Sequence, residues 1–179
     1  EYLRILGAHI HPEDLILATT GYTGRELMQE VPRTGNFYMA GSMGCVTSTG
    51  LGVALEHPKR KVYILDGDGA LLMKMGTLAT IGYYKPKNLV HLLFDNGAYE
   101  STGCQKTVSE IVRFPSLALH SGFAYAESVT TPEGFLNFFL TTRQKQGPLM
   151  CHIRVQSGTV KNLRRPESLP IEHRDDFMD

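Results

Sequence analysis

The stretch Lys61-Val62-Tyr63-Ile64-Leu65-Asp66-Gly67-Asp68-Gly69 decides the fold, together with Leu89-Val90-His91-Leu92-Leu93-Phe94-Asp95-Asn96-Gly97. Each stretch is an apolar run, typical of a buried strand, that ends in a turn of Asp, Asn and Gly. The residues between them, from Leu71 to Tyr84, predict a helix. A strand-helix-strand unit makes its two strands parallel neighbours, so both turns emerge at one edge of a sheet, where open α/β folds bind ligands. Asp68 and Asn96 are therefore expected to face one small volume.

The rest of the chain predicts a sheet built from more units of this kind. The further strand candidates are Leu15–Thr19, Phe123–Ser128 and Leu149–Val155. Apolar runs without polar alternation are typical of strands covered on both faces. The predicted fold is therefore α/β, with three αβα layers around a mostly parallel, doubly wound sheet.

Domain boundaries follow from a change in composition near the C-terminus. Thr131-Pro132-Glu133 still predicts a helix start, with Thr as N-cap and Pro at the first helical position. After Val155 the chain is polar and proline-bearing, with no apolar period. We expect one binding domain over residues 1–157 and a C-terminal tail over 158–179. Two interpretations of the tail stay open, because it either drapes over a neighbouring chain or the site mouth, or is simply solvated.

The atoms available at the two turns indicate the ligand. A carboxylate, an amide oxygen and loop carbonyls are hard ligands that suit Mg²⁺, which usually completes its octahedron with phosphate oxygens and water. Gly67 and Gly69 let the backbone approach a diphosphate, and the helix expected after Gly69 would direct free N–H groups at it. A second glycine turn, from Gly21 to Gly24 ahead of a helical stretch from Arg25 to Glu30, is expected to hold the other end of the diphosphate.

The two turns resemble the signature of the thiamine diphosphate-dependent enzymes. That signature is Gly-Asp-Gly followed, about thirty residues on, by Asn-Asn, and here it reads Gly67-Asp68-Gly69 and Asp95-Asn96, with Asp where the family has its first Asn. The resemblance implies thiamine diphosphate and Mg²⁺ as cofactors. The implied metal ligands are the side chains of Asp68 and Asn96 and the backbone carbonyl of Ala98.

The loop Ala40-Gly41-Ser42-Met43-Gly44, ahead of a small-residue helix from Cys45 to Glu56, resembles the loop of the decarboxylases in this family that bends the cofactor. The resemblance implies that Met43 is the apolar wedge, and that the Gly41 carbonyl and the Met43 N–H bind the aminopyrimidine. A Met at such a position is also compatible with plain core packing. The cofactor-binding residues expected in all are Gly21, Tyr22, Thr23, Gly41, Met43, Gly67, Asp68, Gly69, Ala70, Asn96, Ala98 and Tyr99.

Within that family, several longer segments resemble the phosphonopyruvate decarboxylases, with the sulfopyruvate decarboxylases next. These segments are Thr20–Leu27, Asn36–Gly44, Asn96–Ser101 and the tail from Arg165-Pro166 to Glu172. The chain departs from the pattern at Cys45, Cys104 and Lys106, where the family has His, Gly and Pro. The resemblance implies a carboxy-lyase that converts 3-phosphonopyruvate to phosphonoacetaldehyde and CO₂, with a sulfopyruvate decarboxylase subunit or a non-catalytic cofactor-binding module as alternatives.

Three side chains near the motifs are candidates for handling the substrate. Arg25 and Lys106 each flank a cofactor loop and could bind the phosphonate, although solvated or structurally paired cations are equally compatible with the sequence. Glu100 is a candidate proton donor and Met43 the other candidate catalytic residue; a helix-capping role for Glu100 stays open. His91, inside a strand candidate, is expected in the core or an interface.

The resemblance also implies a missing part. Thiamine diphosphate enzymes take a Glu for the pyrimidine ring from a separate pyrimidine-binding domain, and this sequence has no second α/β unit to supply it. We expect the chain alone to be inactive. The pyrimidine-binding domain would come from a missing N-terminal segment or a separate subunit, within a homo- or hetero-oligomer.

Composition excludes several other functions. The 179 residues are 42% hydrophobic and contain 18 basic and 18 acidic side chains. A zero formal charge without a basic run argues against nucleic acid and anionic membranes as partners, and no apolar stretch is long enough to cross a bilayer. Three cysteines without metal spacing are typical of reduced thiols in the cytoplasm. A Rossmann dinucleotide site is the weakest rival, because no Gly-x-Gly-x-x-Gly follows the first strand.

Overall fold

The computed structural model describes residues 1–160, 162–164 and 170–178. The helices are α1 Tyr2–His9, α2 Tyr22–Glu30, α3 Val46–Glu56, α4 Asp68–Met73, α5 Thr77–Tyr84, α6 Phe114–Ser121, α7 Pro132–Thr142 and α8 Pro170–Met178, with one 3₁₀ turn at Ser109–Ile111. The strands are β1 Leu15–Ala18, β2 Asn36–Tyr38, β3 Val62–Gly67, β4 Leu89–Asp95, β5 Ala98–Tyr99, β6 Gln105–Lys106, β7 Tyr125–Val129 and β8 Leu149–Arg154.

Six strands form one parallel sheet in the order β2-β1-β3-β4-β8-β7. Register between the two deciding stretches pairs Ile64 with His91 and Gly67 with Phe94. All five predicted strands are present, with small shifts of their ends. The sequence interpretation missed β2, which is too short for its apolar pattern to stand out, and the antiparallel hairpin of β5 and β6.

Two apolar cores lie on opposite faces of the sheet, which confirms the three-layer, doubly wound prediction. One core packs α1, α2 and α7 through residues such as Leu6, Leu27 and Phe135. The other core lies under α3 to α6 and includes Leu51 and Phe114. Burial on both faces explains why the central strands are nearly continuous apolar runs.

The strand order and the faces on which the connecting helices pack locate the ligand crevice. The helix after β1 packs on one face of the sheet and the helices after β3 pack on the other. Adjacent strands whose connections leave in opposite directions form a crevice at their carboxyl ends, where open α/β sheets bind ligands. In this chain that crevice lies between β1 and β3.

The helix predicted from Leu71 to Tyr84 is wrong as one element, because α4 ends at Met73 and α5 begins at Thr77. Gly76 separates them, and Gly in a helix interior is unfavourable by about 1 kcal/mol relative to Ala. The chain around Gly44 also packs closely against Met73 and the carbonyl of Ala70. Helix α4 therefore ends where the loop that contains Met43 meets it.

Helix starts match the sequence in one place and differ in another. The Thr131 Oγ1 accepts the N–H of Gly134 at 3.1 Å, so this N-cap is confirmed. Helix α2 begins at Tyr22, not at Arg25 as predicted, with Gly21 as its N-cap. The predicted glycine turn is thus largely the first turn of that helix.

The C-terminal segment is more ordered than a tail without an apolar period. Helix α8 packs on the edge strand β2, with the Phe177 ring 5.4 Å from Phe37 and the His173 ring 5.4 Å from Tyr38. The polar composition after Val155 did not indicate this helix. Arg165 and Pro166, part of the tail resemblance, lie outside the described residues. In the part of the chain that is described, no helix is long and apolar enough to span a bilayer.

Candidate functional site

A cavity of about 460 Å³ opens at the carboxyl edge of the sheet, over the crevice between β1 and β3. The loops after β1, β3, β4 and β8 all contribute to its wall, together with Met43 and the start of α1. A volume of this size is typical of small-molecule sites. The two turns singled out from the sequence therefore do meet at one volume.

The structure brings most of the predicted site residues to this cavity. Those that line it are Gly21, Tyr22, Thr23, Met43, Gly67, Asp68, Gly69, Ala70, Asn96, Ala98, Tyr99 and Glu100. Three predicted site residues do not line it, namely Gly41, Arg25 and Lys106.

Asp68 is a buried carboxylate at the start of α4, only 2% exposed. Its Oδ2 accepts a hydrogen bond from Thr107 Oγ1 at 2.5 Å. Burial raises the pKa of Asp68, an effect that the Thr107 hydrogen bond opposes and the nearby Asp95 carboxylate strengthens. Within the described residues, no Lys, Arg or His pairs with it. A bound cation would supply the missing positive charge and favour the ionised form.

The Asn96 turn is held by its own hydrogen bonds. Asn96 Oδ1 accepts the N–H of Ala98 at 3.0 Å, while its Nδ2 donates to Glu100 Oε2 at 2.7 Å. Glu100 Oε1 also accepts the N–H of Gly158. Glu100 is in a turn and not at a helix end, so the helix-capping alternative is wrong. The side chain instead links the Asn96 turn to the segment after β8.

Glycines at the site allow other groups to lie close to the backbone. A Cβ at Gly69 would overlap the ring of Tyr99, which packs directly on this part of α4, whereas the space beside Gly67 and Gly97 is open. The helix expected after Gly69 actually begins at Asp68 and is six residues long, with that carboxylate in its first turn. Its dipole therefore contributes less to anion binding than the sequence interpretation assumed.

The loop after β1 presents the start of α2 to the cavity. Gly21 has φ +99°, a backbone conformation that side chains rarely adopt, and it allows the chain to turn directly into the helix. Helix α2 then packs tightly on β1, since a Cβ at Gly24 would lie 2.9 Å from the Thr19 carbonyl oxygen. The free first-turn N–H groups of this nine-residue helix are suited to an anion.

Met43 is half-buried and lies on the cavity wall. Its loop is tightly turned, with positive φ at Gly41, Ser42 and Gly44 and a hydrogen bond from the Cys45 N–H to the Ser42 carbonyl at 3.0 Å. Plain core packing does not describe Met43, because it borders open space at the ligand crevice.

The two candidate substrate cations have other contacts. The Arg25 guanidinium lies 5.6 Å from the centre of the Tyr22 ring. Lys106 is exposed and its Nζ pairs with Glu110 Oε2 at 2.9 Å. Exposed pairs of this kind contribute little to stability. The geometry adds nothing to either predicted role.

Sequence reasoning missed a group of buried polar residues behind the cavity. Thr107 reaches Asp68 because the β5–β6 hairpin folds back, with its N–H donating to the Gly97 carbonyl at 2.9 Å. The Asp66 carboxylate accepts hydrogen bonds from Thr47 Oγ1 at 2.7 Å and from the N–H of Gly67. Asp95 Oδ2 lies 2.8 Å from His152 Nε2. Nothing local signals these contacts; the only hint is that polar residues interrupt otherwise apolar strands.

The segment after β8 crosses the mouth of the cavity, and we call residues 156–160 the strap. Its contacts are the Glu100 bond described above, Ser157 Oγ to the Asn96 carbonyl at 3.3 Å, and Thr159 Oγ1 to Glu26 Oε1 at 2.9 Å. The strap thus connects the Asn96 turn with α2. Gly158 and Val160, near the start of the expected tail, therefore border the cavity.

Other residues weighed from the sequence have no part in the cavity. His91 is fully buried in β4, and its Nε2 lies 3.5 Å from Asp66 Oδ2 without a hydrogen bond to either ring nitrogen. This agrees with its expected place in the core. All three cysteines are free thiols. In the described ranges, no three His, Cys, Asp or Glu side chains form a metal cluster, so any Mg²⁺ depends on mixed ligands such as those predicted.

Comparison with known proteins identifies the cofactor class of the cavity. Residues 20–153 match the family described as "Thiamine pyrophosphate enzyme, C-terminal TPP binding domain", thiamine pyrophosphate being another name for thiamine diphosphate. The match covers the loops after β1, β3 and β4.

Two curated relatives resemble most of the chain. Phosphonopyruvate decarboxylase from Streptomyces viridochromogenes is 39% identical over 170 residues, which cover 95% of this chain and 43% of that protein. Sulfopyruvate decarboxylase subunit beta from Methanothermobacter thermautotrophicus is 37% identical over 148 residues, which cover 82% of this chain and 76% of the subunit. The chain thus spans less than half of the first relative.

A solved structure shares the fold. The thiamine diphosphate-dependent 4-hydroxybenzoylformate decarboxylase of Rhodococcus jostii RHA1 superposes with a TM-score of 0.73 at 18% identity, over 89% of this chain and 32% of that chain. At this identity the likeness concerns the three-layer fold alone.

Proposed function

The chain belongs to the thiamine pyrophosphate enzymes as their C-terminal, cofactor-binding domain, and on that premise we propose that it is the diphosphate-binding part of a thiamine diphosphate-dependent 2-oxo acid decarboxylase. The observation that most supports this function is the convergence of Asp68, Asn96, Ala98 and the first turn of α2 on one cavity. These residues follow three different strands, β1, β3 and β4. They supply oxygen ligands for Mg²⁺ and free N–H groups for the diphosphate.

Each ligand group has a proposed set of residues. Mg²⁺ is bound by the side-chain oxygens of Asp68 and Asn96 and by the Ala98 carbonyl. The raised pKa of the Asp68 carboxyl, which has no cationic partner in the described part of the chain, fits a site that requires a cation. The diphosphate is bound by backbone N–H groups of residues 21–23 and 69–70. Met43 contacts the aminopyrimidine, and the Gly41 carbonyl stays the second proposed contact although it does not border the cavity. Tyr99 closes the wall beside the metal.

When bound, thiamine diphosphate supplies an electron-accepting ring that makes loss of CO₂ from a 2-oxo acid possible. In the proposed reaction the bond between the keto carbon and the carboxylate breaks, CO₂ leaves and the former keto carbon takes up a proton. Met43 fixes the orientation of the reacting ring, and the strap shields the reacting atoms from bulk water. Glu100, which borders the cavity, stays the proposed proton donor, although both of its oxygens accept hydrogen bonds, from Asn96 and from Gly158.

The proposed substrate is 3-phosphonopyruvate, with phosphonoacetaldehyde as product. Support comes from the phosphonopyruvate decarboxylase of Streptomyces viridochromogenes, which resembles 95% of the chain. Sulfopyruvate is the alternative, since sulfopyruvate decarboxylase subunit beta of Methanothermobacter thermautotrophicus is almost as similar. Arg25 and Lys106 stay candidates for binding the acidic group, although neither borders the cavity.

Activity is proposed to need a pyrimidine-binding domain. The described residues form one α/β unit, and some relatives are named as subunits. That domain is supplied either by another segment of the same protein or by a separate subunit, in an oligomer that encloses the cofactor. Three free thiols are compatible with a cytoplasmic enzyme.

The test is a decarboxylation assay of the full-length or reconstituted protein on 3-phosphonopyruvate and on 3-sulfopyruvate, with identification of the aldehyde product. We expect the phosphonate to be the faster substrate. A preference for the sulfonate would support the alternative. Cofactor binding without turnover of either acid would support a non-catalytic module.

A companion variant tests the metal assignment. Asp68→Ala is expected to abolish Mg²⁺-dependent thiamine diphosphate binding, measured by calorimetry, because it removes the charged ligand. The exposed Asp176→Ala is the matched control and should bind like the parent protein. Unchanged affinity in Asp68→Ala would contradict the metal site.

A further inference from the structure

Behind the Asn96 turn lies a buried hydrogen-bonded chain that does not border the cavity. Asp95 is 3% exposed and His152 is 5% exposed. They lie on neighbouring strands, with Asp95 at the end of β4 and His152 in β8, on the face that packs under α6. The Phe114 ring lies 5.2 Å from the imidazole and restricts its orientation.

Every link in this chain has a defined distance. His152 Nε2 lies 2.8 Å from Asp95 Oδ2, and Ser128 Oγ lies 2.6 Å from His152 Nδ1. The other carboxylate oxygen, Asp95 Oδ1, accepts Ser109 Oγ at 2.8 Å and the Gly97 N–H at 3.0 Å. A carboxylate only accepts, so the Nε2–H of His152 is the donor in its bond to Asp95.

Three donors serve the buried Asp95 carboxylate, namely the His152 Nε2–H, the Ser109 hydroxyl and the Gly97 N–H. Removal of one of these donors leaves a buried acceptor oxygen with fewer partners, which is costly.

Asp95 is also the position where the chain departs from the Asn-Asn signature. An amide there would offer one oxygen acceptor and turn an NH₂ group toward the Nε2–H of His152, donor against donor. The carboxylate offers two acceptors, one toward the Gly97 N–H and one toward His152. Asp95 and His152 therefore fit each other as a pair.

The turn controlled by this pair is the one that supplies two proposed metal ligands. Gly97, with φ +71°, lies between Asn96 and Ala98, and its N–H is held by Asp95 Oδ1. That bond sets the peptide plane ahead of Gly97, and with it the direction from which Asn96 and the Ala98 carbonyl approach the cavity.

We propose that His152 is a positioning residue that, through Asp95, holds the turn from Asn96 to Ala98 in the geometry required for Mg²⁺ binding. The proposal rests on the proposed function, since it assumes the metal ligands given above. His152 touches neither metal nor substrate. Outer-shell partners of this kind typically change metal affinity by about 10–100-fold when they are lost.

The experiment compares His152→Met with His152→Gln in the full-length protein. Gln can place an amide donor near the position of Nε2, whereas Met fills similar volume without one. Calorimetric titration of Mg²⁺ in the presence of excess thiamine diphosphate should give a Kd raised about 10-fold or more for Met, and within about 3-fold of the parent for Gln. In the metal-free protein, the Gly97 amide should exchange hydrogen faster in the Met variant only.

A rescue variant separates positioning from general damage. Adding Asp95→Asn to His152→Met replaces a carboxylate that has lost its Nε2–H donor and restores the Asn-Asn signature, so Mg²⁺ affinity should partly recover. Should His152→Met fail to fold, Ser109→Ala replaces it, because it removes one donor to the same carboxylate and is expected to raise the Kd about 3-fold or more.

The outcomes distinguish this proposal from the proposed function. An unchanged Mg²⁺ Kd in the Met variant, or in Ser109→Ala where that variant replaces it, would overturn the positioning role, even if the unfolding midpoint falls. Asp68→Ala in the same titration tests the metal site itself. Loss of Mg²⁺ binding in Asp68→Ala with no effect of His152→Met would leave the proposed function intact, whereas no effect of either variant would contradict both.

Discussion

At the scale of single residues, some site side chains are positioned by neighbouring residues in the sequence and others by distant ones. Met43 is positioned by its own loop, in which Gly41, Ser42 and Gly44 all adopt positive φ. Asp68 is held by a distant residue, since Thr107 reaches it only through the β5–β6 hairpin. The first kind of residue is visible as a motif, and the second kind becomes visible only after folding.

Met43→Gly should lower kcat far more than it lowers affinity for thiamine diphosphate. Met43 borders the cavity without a polar contact to a ligand, so its expected contribution is orientation, and misplacement of reacting atoms can cost about 100-fold in rate. Met43→Leu retains the bulk and should stay close to the parent. Steady-state kinetics and cofactor titration of both variants provide the measurement. Equal losses of rate and affinity in Met43→Gly would contradict the wedge role.

At the scale of elements, close packing between α5 and α6 supports the layer that carries the Met43 loop. Gly82 in α5 lies against the backbone of Ser121 and Gly122, and a Cβ there would overlap the Ser121 carbonyl oxygen. This contact follows from a glycine that helix propensity alone would count as unfavourable. The close packing of α5 on α6 therefore explains why a glycine occupies position 82.

Gly82→Ala should destabilise the protein by about 1–3 kcal/mol, because overpacking costs more than the gain in helix propensity. Gly52→Ala is the matched control, since Gly52 lies in α3 with open space around it and should gain about 0.5–1 kcal/mol. Urea unfolding followed by circular dichroism measures both. A more stable Gly82→Ala would show that the two helices separate at little cost.

At the scale of the whole molecule, the C-terminal segment runs over the carboxyl edge of the sheet. It leaves β8, contacts the Asn96 turn and α2 through the strap, and ends with α8 on β2. The strap lies over the cavity with few buried apolar contacts, because residues 155–160 are half-buried or exposed. Segments of this kind open more easily than the core.

Glu100→Ala should loosen the strap. Glu100 Oε1 accepts the N–H of Gly158, and a hydrogen bond contributes about 0.5–1.5 kcal/mol, so exchange of that amide should accelerate about 3-fold or more. Glu56→Ala, which removes an exposed carboxylate from the last turn of α3, should leave exchange unchanged. Hydrogen exchange with mass spectrometry over residues 155–160 is the measurement. Equal exchange rates in both variants would contradict a role of Glu100 in holding the strap.

The sequence by itself determined the parallel sheet, the edge where ligands bind and the class of cofactor. The first two conclusions rest on local signals, because apolar runs mark buried strands, and Asp, Asn and Gly at their ends mark turns that must share one edge. The class of cofactor rests on the resemblance of those turns to a family signature. Only the tertiary structure decided the pairing of Asp95 with His152, the bond from Thr107 to Asp68, the break between α4 and α5 and the path of the strap. These contacts join residues far apart in the chain, and they depend on strand register and side-chain packing, which local propensity does not encode.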